Sequence, residues 1–253
     1  MTDLLLVLLS VAGIWGVGLA AAHVLLSSLL RSTQTQTSLT ELLGLGPVFG
    51  FGPTAFFYFL WGWVGGSYSS TVAWSWMCCG LLLGPVTLIR QFRNARTVAN
   101  ASDASATDDD FKKLCLGILL FLCLSTVIQS LMTPQRFWDE RAIFGLKAIV
   151  LFQEGTLQNE ALQHPDFVQY HPKYPLLIPL NETHSYLLLG EVNDRWSKIM
   201  FPLLYLGMLL CFQGVLQRTT RQSARAWLFT LMLATMPSMI PWEYGFLSGQ
   251  ADG

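Results

Sequence analysis

The sequence predicts an all-α fold, a polytopic transmembrane helix bundle of about six spans with a long outer loop that carries interfacial helices. The 253-residue chain is 52% hydrophobic but only 12% charged, whereas soluble domains carry about 25% charged residues. Its mean hydropathy is +0.44. A helix needs roughly 20 apolar residues to cross a bilayer. Several runs that contain no Asp, Glu, Lys or Arg approach or exceed this length, namely 4–30, 42–89, 114–135, 199–217 and 226–242.

Within these runs we predict the six spans 4–30, 46–64, 69–89, 114–133, 198–217 and 226–242. The long second run is divided near "GGS" at 65–67, because glycine and serine favour a turn. The last span is short and contains two prolines. The first span could be read as a cleaved signal peptide, but its N-terminal residues "MTD" include no Lys or Arg. We therefore expect it to be retained.

Basic residues predict the orientation of the spans, since cytoplasmic loops are enriched in Lys and Arg. The segments "RQFRNAR" (90–96) and "QRTTRQSAR" (217–225) are the most basic loops. This pattern places the N-terminus and the loop 134–197 outside and the linker 90–113 in the cytoplasm. The chain then divides into the spans of 1–133, the outer loop 134–197, and 198–253 with two further spans and the start of another outer loop. A net charge of −1 gives no indication of a nucleic-acid partner.

The outer loop 134–197 holds eight of the sixteen carboxylates and three of the four histidines. A connection of this length usually has structure or function of its own. Its segment "DERAIFGLKAIVLFQEG" predicts a helix in the membrane interface from Asp139 to Gly155, with Lys147 on the face opposite the apolar residues. The Pro, Tyr and His content of 164–180 predicts an extended segment. The following "NETHSYLLLGEVNDRWSK" predicts a short re-entrant or interfacial helix that runs into the fifth span.

Two interpretations of Asp139 remain open at this stage. Asp is a favoured helix N-cap, and a carboxylate in the first turn is stabilised by the helix dipole. Alternatively, a carboxylate held at the membrane surface could accept a proton from an acceptor nucleophile. The histidines offer a second candidate site. The spacing of His164, Asp166, His171 and His184 matches no standard zinc pattern, however, so we predict contacts with substrate or with the interface instead of a metal site.

Three segments of the chain resemble membrane glycosyltransferases of the GT-C superfamily, in the branch that includes protein O-mannosyltransferases, aminoarabinose transferases and related bacterial transferases. "WDERAIFGLKAIVLFQEG" resembles the outer loop in which a span ends in an Asp-Glu pair followed by an amphipathic helix. "HPKYPLLIPL" is similar to a segment found later in that loop. "EYGFLSGQADG" (243–253) resembles a segment that follows a later span. The three segments occur in the family order.

This resemblance implies transfer of a sugar from a polyprenyl-phosphate donor to a glycan, lipid or protein acceptor, with inversion at the sugar carbon. It places the protein in a bacterial inner membrane. It implies that Asp139 is the catalytic carboxylate and that Glu140 orients it or contacts substrate. The candidate substrate-binding residues are Arg141, His171, Lys173, Tyr174 and Asp252. The resemblance identifies no cofactor with certainty and leaves a divalent cation open.

Two departures from the family pattern define the alternatives. The Asp-Glu loop follows the fourth predicted span here, whereas it follows the first span in familiar members. Those members also continue beyond the third motif with further spans, so we expect the chain to be an N-terminal portion that has no activity alone. The alternatives are a non-enzymatic membrane partner and a transporter subunit. A transporter would carry ionisable residues within its spans, and the predicted spans contain almost none.

Overall fold

The computed structural model describes residues 2–29, 38–96, 106–171 and 173–236. Over these residues the fold is all-α, with no strand, and this confirms the predicted fold class. The helices are α1 (Thr2–Leu29), α2 (Leu39–Trp63), α3 (Ser70–Arg96), α4 (Ala106–Met132), a π-helix (Asp139–Gly145), α5 (Leu146–Glu154), two 3-10 helices (Ala161–Gln163 and Pro165–Tyr170), α6 (Leu177–Leu189), α7 (Asp194–Ser197), α8 (Met200–Thr220) and α9 (Ser223–Ala234).

Five helices in the described part are long and apolar enough to cross a membrane, so we treat the chain as an integral membrane protein. They are α1, α2, α3, α4 and the segment that ends with α8, and they correspond to the first five predicted spans. Of the sixth predicted span, 226–242, residues 226–236 are described, and most of them belong to the 12-residue helix α9. Residues 237–242 lie outside the described residues, as do 97–105 of the predicted linker and the third motif at 243–253.

Helix α2 begins at Leu39 instead of at the predicted residue 46, because a capping box fixes its start. The Ser38 hydroxyl accepts a hydrogen bond from the backbone N–H of Glu41 at 3.0 Å. The Glu41 carboxylate accepts one from the Ser38 backbone N–H, also at 3.0 Å. These two bonds satisfy N–H groups that lack partners inside the helix. A search for apolar runs misses this start, since the cap is polar.

Glycines bring α1 unusually close to α2 and α3, the two helices on which it packs. A Cβ atom added at Gly80 of α3 would collide with the carbonyl oxygen of Gly13 in α1, and one added at Gly18 would collide with that of Gly46 in α2. Small residues permit such close contact between the backbones of membrane helices. The packing of the first three helices therefore depends on the absence of side chains at these points.

Contacts between loops place the connections at two ends of the bundle. The backbone N–H of Tyr68, between α2 and α3, donates to the carbonyl oxygen of Gly155 in the outer loop at 2.6 Å. At the other end, the Glu41 carboxylate lies 3.0 Å from Nε of Arg218, near the end of α8. The segments 65–68 and 134–197 thus lie at one end, and the start of α2 and the end of α8 at the other. The predicted topology requires this grouping.

The outer loop confirms some of its predicted elements and corrects others. As predicted, helical structure runs from Asp139 to Glu154 and stops at Gly155. The φ of Gly155 is 65°, in the left-handed region. The extended conformation predicted for 164–180 is wrong, because this segment contains a 3-10 helix and the start of α6. The short helix predicted to begin at 181 is present as α6, which starts earlier, at Leu177. It does not run into the fifth span, since Gly190 (φ 77°) ends it and α7 intervenes.

We predict that Gly80→Ala destabilises the protein and that Gly117→Ala does not. The added methyl group at Gly80 would displace the α1 backbone, and overpacking of this kind costs roughly 1–3 kcal/mol. Gly117 also lies within a helix, but a Cβ there would have no neighbour within 4 Å. Alanine favours a helix over glycine by roughly 1 kcal/mol. Thermal unfolding of both purified variants in detergent tests the prediction, and equal unfolding temperatures would contradict it.

Candidate functional site

A cleft of about 670 Å³ opens among residues of the outer loop. Its lining comes from residues 135–138 and 141–142, from the start of α5, from Tyr170 at the end of the second 3-10 helix, and from Val192 and the first residue of α7, Asp194. One wall is the π-helix, a rare element that often occurs at functional sites. Pockets for small ligands commonly have volumes of about 300–1,000 Å³. The cleft is therefore large enough for a sugar with an attached phosphate.

Two arginines supply positive charge to the cleft. Arg136 and Arg141 both line it, and both are exposed. Neither side chain has an ion-pair or hydrogen-bond partner among the described residues. The predicted candidate Arg141 is therefore placed where it can meet a ligand. Guanidinium groups bind phosphate oxygens through paired hydrogen bonds, so the cleft is suited to a phosphorylated ligand.

An aromatic surface borders the same cleft. The rings of Trp138 and Tyr170 lie nearly parallel, with centroids 6.2 Å apart and an angle of 18° between their planes. The side chain of Trp138 is 63% exposed. Aromatic side chains with a few polar groups are typical of ligand pockets. These two rings can contact the apolar face of a sugar.

The carboxylates near the cleft differ in position. Asp194 lines it, and Asp194 Oδ2 accepts a hydrogen bond from the Gln135 backbone N–H at 3.3 Å. Asp139 is half-buried, has no hydrogen-bond partner among the described residues, and lies between the two cleft residues Trp138 and Arg141 without lining the cleft itself. The N-cap interpretation of Asp139 is wrong, because Asp139 is within the first turn and the flanking Trp138 has helical backbone angles. Asp194 was not predicted from the sequence.

Glu140 faces the protein interior, in contrast to its neighbour. It is 1% exposed, and its Oε1 lies 2.8 Å from Nζ of the buried Lys198. Its Oε2 accepts hydrogen bonds from the backbone N–H groups of Arg136 at 2.8 Å and Phe137 at 3.4 Å. The carboxylate thus fixes the backbone of one cleft wall. These contacts fit an orienting role better than contact with substrate.

A second buried carboxyl, Glu182 of α6, lies close to this pair. It is 1% exposed, and its Oε1 accepts hydrogen bonds from Gln135 Nε2 at 2.6 Å and from Ser197 Oγ at 3.4 Å. Its Oε2 is buried without a hydrogen-bond partner among the described residues. Burial, together with the charge of Glu140, raises the pKa of Glu182 to about 8. The sequence signal that could have revealed it is an acid inside the apolar segment "LLIPLNETHSYLLL", which is helical here.

Other predicted substrate-binding residues form a separate cluster outside the cleft lining. The ring of His171 stacks on Tyr174 with centroids 4.8 Å apart. Lys147 was expected to face away from the apolar surface, and this is wrong. Its side chain is fully buried, and its Nζ donates to the His171 carbonyl oxygen at 2.6 Å. Burial lowers the pKa of Lys147. Lys173 is exposed beside this cluster, and Asp252 lies outside the described residues.

The four residues considered for a metal site do not come together. His184 is fully buried in α6, where its Nδ1 is hydrogen-bonded to the Tyr58 hydroxyl at 2.8 Å. Burial lowers the pKa of His184 to about 3. His164 Nδ1 lies 3.5 Å from Asp166 Oδ2, and both side chains are exposed. Across the described ranges, no group of three His, Cys, Asp or Glu side chains is placed to hold a metal ion.

Comparisons with models of known protein families, with curated proteins and with solved structures find no match to this chain. The resemblance to GT-C glycosyltransferases accordingly rests on the three quoted sequence segments.

Proposed function

We propose that this protein is an integral membrane glycosyltransferase that uses a polyprenyl-phosphate sugar as donor. The observation that carries the proposal is the composition of the cleft. Two arginines without ion-pair partners in the described part, an exposed aromatic surface and a carboxylate meet in one cavity of the outer loop. The arginines match the phosphate of the donor, the aromatic rings match its sugar, and the carboxylate matches the general base of the reaction. The order of the sequence motifs supports the same function.

In the proposed reaction, a hydroxyl oxygen of the acceptor attacks the sugar carbon that carries the phosphate. The new C–O bond forms as the bond from that carbon to the phosphate oxygen breaks, and the electron pair of the broken bond stays on the phosphate. A carboxylate accepts the hydroxyl proton. Arg136 and Arg141 neutralise the charge that develops on the leaving phosphate. The ring faces of Trp138 and Tyr170 hold the sugar.

Two carboxylates are candidates for the general base. The family resemblance assigns this role to Asp139, which has no hydrogen-bond or ion-pair partner in the described part. The cleft itself contains Asp194, which already accepts one backbone hydrogen bond. A base must come within hydrogen-bond reach of the proton that it removes. We favour Asp139, since its carboxylate is not engaged and its neighbours on the π-helix line the cleft.

The transporter alternative has one observation in its favour. Ionisable residues buried in a membrane protein often mark transport paths, and Glu182 and His184 of α6 are buried among the helices. However, Glu182 bonds to Gln135 and His184 bonds to Tyr58, so both are engaged with the protein itself. The arginines of the cleft are not engaged in this way. The cleft therefore favours binding of a phosphorylated ligand. A non-enzymatic partner would keep the cleft but lack the chemistry.

We predict that the cleft arginines bind the phosphate of the donor lipid. The double variant Arg136→Gln and Arg141→Gln should bind farnesyl phosphate at least about tenfold more weakly than the wild type, because a charged hydrogen bond contributes roughly 1.5–3 kcal/mol. Thermophoresis in detergent measures the affinity. Arg225→Gln, at the exposed start of α9, is the matched control and should bind normally. Farnesol, which lacks the phosphate, should not distinguish the proteins. Equal affinity of the double variant and the wild type for farnesyl phosphate would refute the assignment.

The base assignment predicts different costs for two isosteric substitutions. Asp139→Asn should slow sugar transfer by a factor on the order of 10²–10⁴, because it removes the proton acceptor. Asp194→Asn keeps an acceptor oxygen for the Gln135 N–H and should cost less than about tenfold. The measurement is transfer of labelled hexose from a polyprenyl-phosphate donor in membranes of cells that express the protein. The reverse order of the two effects would transfer the role to Asp194, and near-normal rates for both would exclude both.

We further propose that the cleft faces the non-cytoplasmic side of a bacterial inner membrane, with the N-terminus outside. A cysteine introduced at the exposed Gln158 should then react with a membrane-impermeant maleimide in spheroplasts. A cysteine at Gln222, in the basic loop between α8 and α9, should react only after lysis. Both variants are made in a background without the five native cysteines. The opposite labelling pattern would reverse the orientation.

A further inference from the structure

Two buried carboxyl groups, Glu140 and Glu182, lie beneath the cleft, and a buried lysine pairs with the first of them. Glu140 is 1% exposed, Glu182 is 1% exposed and Lys198 is 3% exposed. Lys198 forms its ion pair with Glu140 at 2.8 Å, so its charge is already balanced. A buried charge without a partner is very costly. No cation of the described residues lies within ion-pair distance of Glu182, so burial favours its protonated form.

Hydrogen bonds connect this pair of acids to both cleft walls. Gln135 donates through its side chain to Glu182 at 2.6 Å and through its backbone N–H to Asp194 at 3.3 Å. Glu140 holds the backbone N–H of Arg136. The amide oxygen of Gln135 occupies the space where Gly145 has no side chain, and a Cβ atom there would collide with it. The positions of Arg136 and Asp194 thus depend on the buried acids.

We infer that Glu182 is a positioning residue that holds the walls of the cleft together only while its carboxyl group is protonated. The inference deepens the proposed function. Only the catalytic use of the cleft rests on that function, whereas the effect of Glu182 on the cleft walls does not. Ionisation of Glu182 places a second negative charge beside Glu140 with one lysine to balance both. The hydrogen bonds from Gln135 and Ser197 favour the ionised form, but burial and the charge of Glu140 outweigh them. Repulsion between the two acids then pushes Glu182 away from Glu140 and loosens the backbone that Glu140 holds.

The surroundings of Glu182 determine the direction of the pH effect. The charges that act on it come from Glu140 on the π-helix and Asp194 on α7. Two other elements packed on α6 carry titratable side chains with partners of their own. Lys147 of α5 donates to the His171 carbonyl oxygen, and the neutral Tyr58 of α2 is hydrogen-bonded to His184. Residues 4–29 of α1 and 70–89 of α3 contain no Asp, Glu, Lys or Arg.

The raised pKa of about 8 lies above the ordinary value of 4.5 for a glutamate side chain. A group whose pKa is raised on folding stabilises the fold fully below its unfolded pKa and loses this contribution as the pH rises through the folded value. The cleft walls should therefore be fixed at neutral pH and loosened above roughly pH 8. Acidification below neutral pH does not remove this contribution.

Hydrogen exchange of the full chain in lipid nanodiscs tests the inference at the backbone N–H groups of Arg136 and Phe137. After correction for the intrinsic pH dependence of exchange, wild-type protection should fall on the order of tenfold between about pH 6.5 and pH 9, since about one carboxyl in ten stays protonated one unit above its pKa. In Glu182→Gln, which is neutral at every pH, protection should change less than about twofold. Glu160→Gln, an exposed acid in the same loop, should behave as the wild type.

Protection in the wild type that does not change with pH would overturn the inference, as would an equal loss in Glu182→Gln. Should Glu182→Gln fail to fold, the titrations of the wild type and Glu160→Gln decide the matter alone. The measurement uses no donor lipid. Failure of the farnesyl phosphate experiment would therefore leave this result standing, and loss of the pH effect would leave the proposed function standing.

Discussion

The buried ion pair between Glu140 and Lys198 is the interaction on which the candidate site depends. Glu140 belongs to the loop that follows α4, whereas Lys198 immediately precedes α8, so the pair joins two segments that are distant in sequence. The hydroxyl of Ser130 near the end of α4 adds a hydrogen bond to the Lys198 carbonyl oxygen at 3.1 Å. Removal of one partner from a buried ion pair typically costs about 3–5 kcal/mol, because the other charge is left without compensation. The other carboxylate oxygen of Glu140 accepts hydrogen bonds from two backbone N–H groups, and these bonds fix the backbone of the cleft wall.

Helix α6 is the second support of the site, since it packs between the long helices and the rest of the outer loop. Ten of its thirteen residues are buried. Its polar side chains are engaged with several elements: Asn181 Nδ2 donates to the Phe51 carbonyl oxygen at 3.1 Å, and His184 bonds to Tyr58. Polar groups in a membrane protein interior need such partners, because lipid offers none. The cleft consequently rests on a helix that is itself anchored to α2, and α2 is held against α1 by close glycine contacts.

Neighbouring carboxylates in the sequence take on different roles through their environments. Asp139 and Glu140 are adjacent, but Glu140 is enclosed with Lys198 while Asp139 is half-buried without a hydrogen-bond or ion-pair partner in the described part. A carboxylate that is fully engaged by a lysine and two backbone N–H groups has little capacity for proton transfer, whereas an unengaged one retains it. Burial likewise separates Glu182, which is enclosed within the protein, from Asp194, which lines the cleft. A site in which buried acids fix the backbone and unengaged side chains lie at the cleft is suited to chemistry on a positioned substrate.

The sequence by itself determined the all-α class, the first five apolar helices and the helical segment from Asp139 to Gly155. Long uncharged runs, a left-handed glycine stop and basic loops depend on local chemistry, so they can be read without a structure. Only the tertiary structure decided that Lys147 is buried, that α6 is a packed helix, and that Glu182 and Asp194 join the site. These features arise because Gln135, Glu182, Asp194 and Lys198 meet across as many as 63 sequence positions, between Gln135 and Lys198. No local pattern encodes such contacts, since the burial of a polar side chain depends on the partner that the fold brings to it.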